Sequence, residues 1–205
     1  MENISIFCAD VGSIKAKKFG WAADTPDRNG IQLGTDIKLF AELISSAISD
    51  GCKVAIGFEC PLFVPMRSDP ILVNSARKGE GNRSWSAGAG TGALATGLVE
   101  VLWVLNKVAS LQGQPPKAEL SWVTFINSDS VFLWEAFVTS ESKGTGHAED
   151  AAIAIECFKS ALPNMDDANA IEESSVLSLV GAAALRAGWS DNIVILSEPC
   201  LVIKA

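Results

Sequence analysis

Four acidic residues stand where a fold could gather them: Asp10, Glu59, Glu135 and Asp150. Asp10 closes the run "ISIFCAD", Glu59 closes "CKVAIGFE", Glu135 lies inside "VFLWEAF", and Asp150 follows "HAE" at the start of "HAEDAAIAIECFKSALP". Two carboxylates in one partly buried site repel unless a proton or a cation compensates them. Oxygen-only donors favour hard divalent ions such as Mg²⁺ or Mn²⁺. Two such ions about 3.5–4 Å apart can clamp the attacking and leaving oxygens of a phosphodiester. The expected ligands are Asp10, Glu59 and Asp150, with Glu135 as a fourth ligand or a base.

His147, the only histidine, shares a helical stripe with Asp150 and Ala154, since residues three and four apart are neighbours on a helix. It suits a proton shuttle or a donor that orients a ligand. Arg67, Arg77, Lys78 and Arg83 fall in a glycine-rich stretch and are the expected phosphate contacts. Each residue also has a plainer reading. Asp10 before "VGS" could be a turn residue. Glu135 could point outward from an edge strand. Glu149 and Asp150 could only complement a helix dipole, and His147 could cap it. Glu59, after "VAIGF" and before Cys-Pro, resists such a reading, because an unpaired charge there is costly.

The elements that must position these residues alternate along the chain. "ISIFCAD" and "KKFGWAAD" read as adjacent strands joined by a turn over residues 12–17, and "GIQLG" as a short third strand. In "TDIKLFAELISSAISDG", Thr35 or Asp36 caps a helix whose apolar residues Ile37, Phe40, Ala41, Ile44, Ala47 and Ile48 share one face, and Gly51 stops it. "CKVAIGFE" is a buried strand in which pairing ceases at Pro61. Residues 67–92 read as a long glycine-rich loop, functional or mobile. "ALATGLVEVLWVLNKVASLQG" is a helix, "LSWVTFI" and "VFLWEAF" are strands, and "SSVLSLVGAAALRAGW" is a helix. The tail "NIVILSEPCLVIKA" supplies one or two short strands. An opening meander followed by strand–helix alternation implies an α/β fold, a mixed sheet with helices on both faces. If the first and fourth strands are adjacent and parallel, Asp10 and Glu59 become neighbours.

Bulk properties set limits. The chain has 205 residues, enough for one domain, with 48% hydrophobic residues and a formal charge of −8. That balance disfavours broad coating of nucleic acid. Five widely spaced cysteines without a CxxC argue for reduced core thiols rather than disulfides or zinc. No signal peptide or run approaching ~18 apolar residues is expected, so the expectation is a cytoplasmic chain without membrane association.

The pattern "ADVGS…FGWA", "VAIGFECPL", "WEAF" and "HAEDAAIA" resembles the ribonuclease H-like superfamily, and more narrowly its uncharacterised bacterial families of predicted nucleases. The likeness spans roughly residues 4–160 through short motifs. It implies a five-stranded mixed sheet of order 3-2-1-4-5 and a C-terminal extension from about residue 164 carrying a helix and short strands. It also implies Mg²⁺- or Mn²⁺-dependent hydrolysis of nucleic acid or a nucleotide. In that resemblance Asp10 matches the first-strand ligand, Glu59 the acid before Pro61, Glu135 the later strand acid and Asp150 the helix ligand. Glu59 replaces the usual Asp, no proline follows Glu135, and the expected arginine-rich segment is reduced to Arg67, Arg77, Lys78 and Arg83. Two other readings stay open. One is a phosphate binder of the actin-like or sugar-kinase kind, with "ADVGS" and "SAGAGTGALATG" as phosphate loops. The other is a non-catalytic interaction domain, with which a dimer is compatible.

Overall fold

The register between two strands decides what the sheet can do. In the computed structural model, which describes residues 4–81, 84–139 and 142–205, β1 (Ile4–Asp10) and β4 (Lys53–Glu59) run parallel, paired from Ile4 with Lys53 through Asp10 with Glu59. β2 (Gly20–Asp24) pairs antiparallel with β1, and β3 (Gln32–Gly34) antiparallel with β2. The crossover from β3 to β4 is α1 (Ile37–Ser49), capped by Asp36, whose side chain accepts a 2.8 Å hydrogen bond from Lys38 N. Its buried face is Ile37, Phe40, Ala41, Ile44 and Ala47, the stripe that the 3.6-residue period requires.

Beyond β4 the chain makes β5 (Phe63–Pro65), α2 (Gly88–Gln112), β6 (Ala118–Glu119), α3 (Trp122–Ile126) and β7 (Val131–Phe137). It closes with α4 (His147–Ala161), β8 (Val176–Ser178), α5 (Leu179–Ala187) and β9 (Val202–Lys204). The main sheet has seven strands in the order β3-β2-β1-β4-β7-β6, with β9 also pairing β7. Both β6 and β9 lie parallel to β7, β6 at its start and β9 at its end. The first four positions match the expected 3-2-1-4. The fifth belongs to β7, and the outer edge is shared by two short strands in tandem, so the expected five-strand order does not hold.

Strand alternation sends successive side chains to opposite faces. Phe7, Ala9, Ile56, Phe58 and Leu133 face α1, α2 and α5. Ile6, Cys8, Ala55, Phe132 and Trp134 face α3 and α4. Helices thus cover both faces. Phe40 lies edge-on to Phe7, Phe19 and Phe58 on one side, while Trp122, Phe132 and Phe158 cluster on the other.

Several elements differ from the sequence reading for local reasons. "LSWVTFI" is not a strand: Ser121 caps a short helix by accepting from Thr124 N, and only Trp122 and Phe125, three apart, are buried. The cap and that spacing outweigh the β-preference of the aromatics. The glycines of residues 88–92 begin α2 rather than ending a loop. Pairing stops after β4 as expected at Pro61, but the chain re-enters a second, two-stranded sheet through β5 and β8. β8 takes the start of the stretch expected to be wholly helical, and Ser178 caps α5 through Gly181 N. α2 is long and apolar enough to cross a membrane by length and composition, contrary to the expectation. Its Val101, Val104, Leu105 and Val108 are buried in the core, and Leu98, Val99, Trp103 and Leu111 are exposed.

Candidate metal centre

Asp10 and Glu59 are cross-strand partners at the carboxyl end of parallel strands, where neighbouring backbones lie about 4.8 Å apart. Both fall on the α4 side by parity with Cys8 and Ala55. Asp150 comes from the first turn of α4. An oxygen from each of Asp10, Glu59 and Asp150 lies within 4.8 Å of the other two, and Asp10 and Asp150 are buried. Gly20 on β2 permits this approach: a Cβ there would lie 2.3 Å from Ala148 N and 2.7 Å from the His147 Cβ. A side chain at Gly20 would have to push α4 outward.

The start of α4 is held by its own acids. Asp150 Oδ1 accepts from Gly144 N at 2.7 Å, and Glu149 Oε2 accepts from Thr145 N at 2.7 Å. Lys143 enters the cluster, its Nζ donating to Glu59 Oε1 at 3.2 Å and to Asp150 Oδ2 at 3.1 Å. His147 Nδ1 and Asp10 Oδ2 share a hydrogen bond. Glu59 Oε2 is buried without a partner among the described residues.

The electrostatics follow from this crowding. Burial pushes the Asp10 carboxyl up to about 7, with Asp150 and Glu100 adding to the shift and Lys143 opposing it. Burial, then the charge of Asp10, pushes Glu59 up to about 8. Burial works against the Lys143 charge, but Glu59, Asp150 and Asp10 outweigh it and hold that lysine above its ordinary value. Counting only the three carboxylates and Lys143 as charged, the cluster carries two net negative charges, which one divalent cation would balance. The donor set fits such an ion: it is oxygen-only, under-neutralised, and includes an orphaned buried oxygen. Asp10, Glu59 and Asp150 could hold Mg²⁺ or Mn²⁺.

Glu135 belongs elsewhere. It pairs in register with Phe58, so it faces the α1 and α2 side, opposite the triad. There Arg77 grips it with two hydrogen bonds, Nη1 to Oε2 at 2.8 Å and Nη2 to Oε1 at 2.6 Å, and Leu62 N donates to Oε2 at 2.8 Å. Arg77 Nε also donates to Glu80 Oε1 at 3.1 Å, and the guanidinium lies over the Phe63 ring. Arg77, Glu80 and Glu135 are all buried. The expectation of Glu135 as a fourth ligand and of Arg77 as a phosphate contact on a mobile loop is therefore corrected: each satisfies the other. Arg67 forms a two-bond pair with Glu173 and Lys78 pairs with Glu172. Both line a separate cleft of about 560 Å³. Arg83 lies outside the described residues.

A cleft of about 730 Å³ is lined by Asp10 and Glu59 of the triad. Lys143, His147, Lys18, Trp85, Gly88 and Gly90 also line it, and so do Arg77, Glu80 and Glu135, whose polar atoms are committed to one another on the far side of the sheet. α2 begins here without a side-chain cap. Sequence reasoning missed Lys143 and Glu100. Glu100 is buried, accepts a 3.2 Å bond from Gly12 N, and is pushed up to about 7 by burial. Its signal was a carboxylate on the apolar stripe of Gly97, Val101 and Val104. The signal for Lys143 was a lone lysine in "SKGTG" just before the helix carrying Asp150. Compared with protein families, with curated proteins and with solved structures, the chain gives no match.

Proposed function

We propose that this protein is a divalent-metal-dependent phosphodiester hydrolase of the ribonuclease H-like kind, acting on a nucleic acid strand or a nucleotide. The observation that carries the reading is the convergence of Asp10, Glu59 and Asp150 within 4.8 Å at the carboxyl end of two parallel strands. The strand order β3-β2-β1-β4 supports it, since the resemblance implies that arrangement. Asp10, Glu59 and Asp150 would hold the ion, which when bound polarises a phosphoryl oxygen and offsets charge developing on it. His147 lies against Asp10 at the cleft, with 40% of its side chain exposed, and can take a proton from an attacking water. Lys18, exposed on the cleft wall, is placed to meet a phosphate. A formal charge of −8 and the size of the cleft favour a nucleotide or a strand end over a length of duplex.

Titration calorimetry with Mn²⁺, paired with hydrolysis assays on single-stranded, duplex and hybrid oligonucleotides, tests this directly. Binding that disappears in Asp10→Asn supports it. Absence of Mn²⁺ and Mg²⁺ binding at millimolar concentration ends it. A second reading, a nucleotide-phosphate binder, is favoured by the uncapped start of α2 on the same cleft, where backbone N–H groups and the helix dipole suit an anion. Protection of residues 88–92 from hydrogen exchange by ATP, without any effect of oligonucleotide, would select it.

A further inference from the structure

Lys143 occupies the acidic cluster in a way that the proposed metal chemistry does not use. Its ammonium takes one oxygen of Glu59 and one of Asp150, at 3.2 and 3.1 Å. The neighbouring Gly144 N takes the other oxygen of Asp150 at 2.7 Å. Both oxygens of Asp150 and one of Glu59 are thus held by two consecutive residues. An ion bound to those oxygens would sit about 2.0–2.1 Å from them, beside a positive charge already there.

We propose that Lys143 is a tethered cation that neutralises the carboxylates until a divalent ion displaces it, so that loading the metal releases the lysine from the cluster. The inference rests on the metal-binding reading given above. The residue type suits release. Lysine is a compact point charge on a flexible stem, without the planar fork that locks an arginine onto a carboxylate. Its side chain is 37% exposed and lines the cleft, so the ammonium has a path outward. Arg77 on the other face is the contrasting case, 2% exposed with its guanidinium committed to Glu80 and Glu135. The backbone beyond Lys143 is anchored independently through Thr145 and Glu149. Release therefore moves the lysine and its immediate neighbours without unfolding the start of α4. Functionally, the lysine sets the divalent concentration at which the site fills.

The test is Mn²⁺ calorimetry on the wild type, Lys143→Met and Lys143→Arg, at one pH above 8. If the lysine-out state is a tenth or less of the population, removing the competitor tightens Mn²⁺ binding by ~10-fold or more. Lys143→Arg should bind no tighter than wild type. In chelator, Lys143→Met should melt below wild type and recover its deficit when Mn²⁺ is added. Wild-type binding with equal or weaker binding by Lys143→Met would overturn the inference and leave the metal site standing. No binding by either would overturn both. If Lys143→Met does not fold, hydrogen exchange on the wild type decides. Faster exchange at Gly144 N on Mn²⁺ saturation supports displacement, and unchanged exchange overturns it.

Discussion

Asp10, Glu59 and Asp150 lie on the α4 face of the sheet, while Arg77, Glu80 and Glu135 lie near the same end on the other face. Both groups are buried or nearly so, and each contains more acid than base. In the second, the guanidinium forks match the carboxylates bond for bond, and Leu62 N takes up a further lone pair. Such a cluster is closed, and it ties residues 77–80 to β7. In the first, among the described residues, a single lysine faces three acids and one buried oxygen has no partner, and two carboxyls are pushed up to about 7 and 8. Buried charge alone does not mark a site; incompletely neutralised charge does.

The comparison breaks most readily at its strongest point. Asp10→Asn should abolish Mn²⁺ binding in calorimetry and lower hydrolysis by ~10³-fold or more, the scale of several kcal/mol of lost charge stabilisation, with an unchanged circular dichroism spectrum. Glu135→Ala should do the reverse. It removes two bonds from Arg77 and the acceptor of Leu62 N, leaving Glu80 as the acidic partner of the guanidinium. It should cost about 1–3 kcal/mol in urea unfolding, while Mn²⁺ affinity of the folded protein stays at the wild-type value.

A pH series sharpens the contrast further. In the folded chain Asp10 and Glu59 hold their protons to about 7 and 8, against ordinary values of 3.8 and 4.5. Between those limits the native state binds more protons than the unfolded state, so stability falls as pH rises. The melting temperature in chelator should decline from about pH 4 to pH 8, and excess Mn²⁺, which binds the ionised form, should flatten the decline. The smallest effect is expected at Lys78→Ala, whose exposed pair with Glu172 lies outside both clusters. Neither melting temperature nor Mn²⁺ affinity should change measurably.

Much of this was legible in the residues. β1, β2, β4 and α1 follow from apolar runs with clear caps and stops, and the pairing of Asp10 with Glu59 follows from where β1 and β4 end. Glu135 illustrates what periodicity leaves out. Its strand was recognisable, but its face depends on register with Phe58, a long-range pairing that local pattern does not encode. Arg77 and Lys143 were likewise visible only as basic residues in glycine-rich stretches, because the partner of a side chain is set by tertiary contact. The short helix at Trp122–Ile126 was hidden because the aromatics that favour strands also fit a three-residue spacing.

Gly20 carries no group that could bind, donate or react, and a survey replacing only charged residues would pass over it. Yet the bare hydrogen there decides how near α4 may come. One added methyl would leave every acid in the chain while prising the third away from the other two. The gauge of the cluster is thus kept by the residue with least to offer it chemically, and a variant whose acids no longer converge would look, by composition, unchanged.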